Sequence, residues 1–171
     1  KEIFSKEFLA RLGIIEPQRG AETREDESVS LYRSGPFSAG MSGYLDTTEG
    51  LVKLARGEAC QLGAGFVVLI IPARIQVNLE SWERRRNELG LSPDGDDLDR
   101  PEREFAARFE RAGLFHVEAL APLRRAQQSG ASPFFQVDGH LNATGHRVVG
   151  QTLARWLVPH LERGEPRPSG C

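Results

Sequence analysis

The stretch Phe66-Val67-Val68-Leu69-Ile70-Ile71-Pro72 decides the fold. Its apolar residues follow one another without alternation, and a proline closes the run. A strand with one buried face alternates apolar and polar residues. A continuous run is instead covered on both faces, as a parallel strand between helices is. Just upstream, Leu51, Leu54, Ala55, Ala59 and Leu62 recur at helical spacing. That periodicity predicts a helix with one buried face, capped by Asp46, Thr47 or Thr48 and stopped by Gly63. Helix, short loop and buried strand make half of a crossover unit.

Downstream the pattern repeats. A helix over about Val77–Leu89 turns Leu79, Trp82 and Leu89 inward and Arg84, Arg85 and Arg86 to solvent. Residues 90–100 (GLSPDGDDLDR) read as a loop. Pro101 suits the first turn of the next helix, near Asp99, with Phe105, Phe109 and Ala112 as its buried stripe and Gly113 as its stop. Leu114–Leu120 reads as a short strand and residues 121–128 as a short helix. Phe134–Val137 is a last extended piece, and Asn142 caps a final helix carrying Val149, Leu153, Trp156 and Leu157. This order predicts an α/β layered fold with a mostly parallel sheet. Residues 1–45 read as an irregular N-terminal segment, 46–162 as the α/β domain, and 163–171 as a flexible tail.

Composition narrows the function. The chain has 171 residues, 39% hydrophobic and 27% charged, enough for one domain with a core. Its net charge is −2, with 22 basic against 24 acidic residues, so no global basic field is present to hold nucleic acid. No apolar run approaches the roughly 18–20 residues that span a bilayer. Cys60 and Cys171 are too few for a disulfide framework or a zinc site, and Cys60, near the buried face of its helix, reads as a core thiol. The chain begins at Lys1 and its only methionine is Met41, which reads as a piece of a longer protein.

The densest polar cluster is FFQVDGHLNATGH, residues 134–146. Asp138 and His140 stand two apart, after an extended piece and before a helix, where functional loops of open α/β sheets collect. A carboxylate beside an imidazole fixes its tautomer and stabilises the imidazolium formed when the other ring nitrogen takes a proton. Gly139 permits an unusual backbone angle between them. Asn142 caps the following helix, and His146 supports its start. A bland surface pair fits the same letters, and so does a metal site of Asp138, His140 and His146, though no further ligand lies at suitable spacing. His116 and His160 read as structural.

Four segments together resemble the C-terminal half of SGNH (GDSL-like) hydrolases: FVVLIIPARIQVN (66–78), RPEREFAARFERAGL (100–114), HVEALAPLRRA (116–126) and DGHLNATGHRVVGQTLARWL (138–157). The resemblance implies a three-layer, flavodoxin-like fold, truncated on its N-terminal side. It implies His140 as general base and Asp138 as its orienter, acting on a small-molecule or carbohydrate acyl ester with no cofactor. The D-x-H spacing, in place of the family's commoner D-x-x-H, is similar to alginate-acetyltransferase-like members, so ester hydrolysis and polysaccharide O-acetyl transfer both stay open. No G-D-S or G-x-N-D block is present, so the nucleophilic serine is expected outside this chain and the chain alone is expected to be inactive. Ser34, Ser38 and Ser42 lie in no nucleophile-elbow context. A non-catalytic carbohydrate- or protein-binding module is the alternative. The compartment is not readable; many relatives are exported, by signals that would lie upstream.

Overall fold

The computed structural model describes residues 29–162. Helix α1 (Ala39–Gln61) leads into β1 (Val68–Ile70), a single helical turn α2 (Arg74–Val77) and α3 (Leu79–Glu88). Helix α4 (Arg100–Arg111), β2 (His116–Glu118), α5 (Leu120–Gln128) and α6 (Ala143–Glu162) follow. The two strands pair in parallel, Val68 opposite His116 and Ile70 opposite Glu118. The amides of Val68 and Ala119 extend the ladder, donating to the carbonyls of Phe115 and Ile70. Parallel neighbours need a crossover of a dozen or more residues, and α2, α3 and α4 supply it.

The core gathers where α2, α5 and α6 meet. Val77, Ala119, Leu120, Leu123, Phe134 and Val149 are buried together, with Leu69, Leu141 and Val148 packed against them. Elsewhere α1 packs on α4, and Met41, Leu45 and Phe109 are buried. Gly113 ends α4 in the left-handed region (φ 64°), as its position after the helix predicts.

Several expectations need correction. Helix α1 starts at Ala39, because the Ser38 hydroxyl accepts the Met41 amide at 3.0 Å; residues 39–45 are helical, and Asp46, Thr47 and Thr48 are not the cap. Its anticipated buried stripe lies open, with Leu51, Leu54 and Leu62 exposed by 62%, 68% and 83%. Strand β1 is shorter than the apolar run and only half-buried, and Ile71 beyond it is exposed. The helix expected over 77–89 is split at Asn78, whose side chain accepts the Ser81 amide and starts α3 anew, leaving Leu79 exposed. Arg86 does not face solvent; it pairs at 2.8 Å with Asp96, which also accepts from Trp82 Nε1 and Arg33. Phe134–Val137 forms no strand, only an isolated bridge from Phe134 to Leu141. Cys60 is disulfide-bonded, not a free core thiol. The sheet has two strands among the described residues, which by themselves do not make the three-layer arrangement.

Candidate active site

Residues 133–146 are built around Asn142. Its backbone amide donates to the Pro133 carbonyl, and its Nδ2 donates to the carbonyls of Ser132 (2.8 Å) and Phe134 (3.1 Å). Its Oδ1 accepts the amides of Thr144 (2.9 Å) and Gly145 (3.1 Å), two donors that open a helix without an intrahelical partner. One side chain thus caps α6 and ties the preceding segment to it. Gly145 completes the join. A Cβ there would lie 2.2 Å from the Pro133 carbonyl oxygen, so the approach requires glycine. The Phe134–Leu141 bridge and the Phe135 amide, donating to the His140 carbonyl at 3.0 Å, close the intervening residues into a turn.

Asp138 and His140 sit on that turn. The His140 amide donates to Asp138 Oδ1 at 3.0 Å, and His140 Nδ1 lies 3.3 Å from the same oxygen. The donated amide first, then the imidazole and the charge of Arg74, hold the Asp138 carboxyl below its ordinary value of 3.8. The histidine side chain is 85% exposed, with Nε2 the ring nitrogen not turned to Asp138. Gly139 does not adopt a positive φ, so the expected unusual backbone angle is absent; a Cβ there would meet nothing within 4 Å.

The turn is also held from the side of α2. Arg74 Nη1 donates to the carbonyls of Phe135 (3.3 Å), Gln136 (3.1 Å) and Asp138 (3.3 Å). An open cleft of about 350 Å³ lies beside it, lined by Arg74, Asn78, Arg84, Gln127, Phe135 and Gln136 among others. Neither Asp138 nor His140 lines this cleft.

Of the residues singled out from sequence, Asp138 and His140 come together, and Asn142 caps the following helix. His146 lies in the first turn of α6, its amide bonded to the Asn142 carbonyl and its side chain exposed. It is not brought into a three-residue cluster with Asp138 and His140, and among the described residues no three His, Cys, Asp or Glu side chains could hold a metal ion. His160 stacks on Trp156 at 4.2 Å between centroids, and His116 lies against Phe109. Ser38 is a helix cap, and no hydroxyl among the described residues bonds to His140. Arg74 was not anticipated. Its signal was its place, just past the proline that closes the β1 run, where loops at strand ends gather.

The sequence model of a family described as SGNH hydrolase-like domain, acetyltransferase AlgX, matches residues 37–168. No curated protein and no solved structure matches the chain.

Proposed function

Because the chain belongs to the family of the SGNH hydrolase-like domain of acetyltransferase AlgX, we propose that it carries the acid–base part of an acyl-transfer site. The supporting observation is the 3.3 Å approach of Asp138 Oδ1 to His140 Nδ1, which leaves Nε2 open to solvent. A serine hydroxyl from outside the described residues attacks the carbonyl carbon of an acyl ester, while Nε2 takes the hydroxyl proton. The tetrahedral intermediate collapses, the alkoxide leaves, and the imidazolium returns the proton to it. Water or a sugar hydroxyl then takes the acyl group by the same route in reverse. Asp138, already ionised, turns the ring and stabilises its charged form. The similarity of the D-x-H spacing to alginate-acetyltransferase-like members, together with the family match, supports a polysaccharide hydroxyl as acceptor. On this reading the parallel pair β1–β2 belongs to the sheet of a three-layer α/β arrangement.

A non-catalytic, carbohydrate-binding module is the second reading. It draws support from the polar cleft beside the turn, which His140 does not line. The test is turnover of a short acetyl ester by the protein of the full reading frame, wild type against His140→Ala. A loss of roughly 10²–10⁴-fold is expected for a general base. Unchanged turnover excludes His140 from the chemistry, and a wild type without turnover favours the binding module.

Among the described residues no helix is long and apolar enough to cross a membrane. The family match supports an acyl or carbohydrate substrate.

A further inference from the structure

We propose that Arg74 is a positioning residue, fixing the Asp138–His140 turn to the end of β1 through the carbonyls of Phe135, Gln136 and Asp138. The inference rests on the reading of Asp138 and His140 as orienter and base. It begins with α2, a single turn that would be unstable on its own. Gln76 on its inward side is buried and fully engaged. Its Oε1 accepts the Ala73 amide at 2.9 Å, and its Nε2 donates to the Leu98 carbonyl and to the buried carboxyl of Glu102. Its own carbonyl accepts Arg124 Nε at 2.8 Å. Val77 beside it joins the core. The turn is therefore anchored to α4 and α5 before Arg74 does anything.

From this anchored platform one guanidinium nitrogen reaches across more than 60 residues of sequence to three carbonyls. Nη1 carries two hydrogens, so the three oxygens at 3.1–3.3 Å share them. Charge-assisted donors hold such carbonyls better than neutral ones. No carboxylate is ion-paired with Arg74 among the described residues, so its charge also acts on Asp138. The turn otherwise carries little packing: Phe135, Gln136, Val137 and Asp138 are all exposed. The backbone that sets the Asp138–His140 approach is thus held by the Asn142 hub at its ends and by Arg74 along its length.

The test uses the full 171-residue chain, with Arg74→Gln and Arg74→Lys. Amide hydrogen exchange is read at Phe135 and His140, with Leu123 in the core as internal reference, and the Asp138 carboxyl is titrated by carbon NMR. Arg74→Gln should speed exchange at Phe135 and His140 by roughly tenfold and move the Asp138 midpoint upward, with Leu123 unchanged. Arg74→Lys, which keeps a cationic donor, should restore both towards wild type. Wild-type exchange and titration in Arg74→Gln overturn the proposal. So does equal acceleration at Leu123, which marks a merely structural role, or a folded Arg74→Lys that shows no restoration. These readouts do not involve turnover. An active His140→Ala enzyme would remove the base while leaving the turn's anchorage intact, so the two failures are told apart.

Discussion

Helix α1 and the junction of α2, α5 and α6 both carry apolar residues at helical spacing, yet they bury them to different extents: α1 buries Met41 and Leu45 near its start and leaves its middle open. Leu51 and Leu54 of α1 recur at helical spacing and stand in solvent, whereas Leu123 of α5 is fully buried, as is most of the surface of Val77 and Val149. Periodicity says that a face is apolar. Burial also needs a partner: among the described residues α4 covers the start of α1, nothing covers Leu51 and Leu54, and the junction that supports the Asp138–His140 turn is covered on several sides. The candidate site therefore rests on a buried cluster, as a loop that must hold a geometry requires.

The sharpest way to break this comparison is to truncate one leucine from each region. Leu123→Ala should cost about 2–5 kcal/mol, from lost burial and the cavity left behind. Leu54→Ala should change stability by no more than about 0.5 kcal/mol. Urea unfolding of the 171-residue chain measures both, and equal costs would mean that α1 has a cover in solution. Glycines give a smaller, signed contrast. Gly145→Ala drives a Cβ into the Pro133 carbonyl and should cost about 1–3 kcal/mol. Gly50→Ala, in α1 with open space around it, should gain about 0.5–1 kcal/mol.

The subtlest contrast is in pH. Burial, opposed by the Gln76 hydrogen bond, raises the Glu102 carboxyl above its ordinary 4.5. In that window the folded state binds more protons than the unfolded one, so stability falls as pH rises from 4.5 through the folded value. Exposed Asp138 is shifted the other way, so its contribution is present above 3.8 and is lost as pH falls through its lower folded value. Glu102→Gln should flatten the upper segment of the stability curve and Asp138→Asn the lower one. Urea midpoints taken across pH check both. A Glu102→Gln curve that still falls over the upper window would place the titrating group elsewhere.

What the sequence made legible follows the range of the interactions involved. The Asn142 cap, the Asp138–His140 pair and the Gly113 stop are local, set by residues within a few positions of one another. The order of helices and the parallel pairing of β1 with β2 could be read from apolar runs and periods. The break at Asn78 was missed because Leu79 and Trp82 continue a helical period, while the Asn78 side chain competes for the Ser81 amide and restarts the helix. The exposure of Leu51 and Leu54, the inward turn of Arg86 to Asp96 and the reach of Arg74 depend on what lies opposite in space. A single sequence does not record that.

The proposed chemistry requires Asp138 and His140 to act as one unit on an acyl ester. A double-mutant cycle in the protein of the full reading frame tests it most directly, by acetyl-ester turnover in Asp138→Asn, His140→Ala and the pair together. Groups acting as a unit lose their effect together. The double variant should be no slower than His140→Ala alone. Losses that multiply, or a His140→Ala enzyme as fast as wild type, would contradict it.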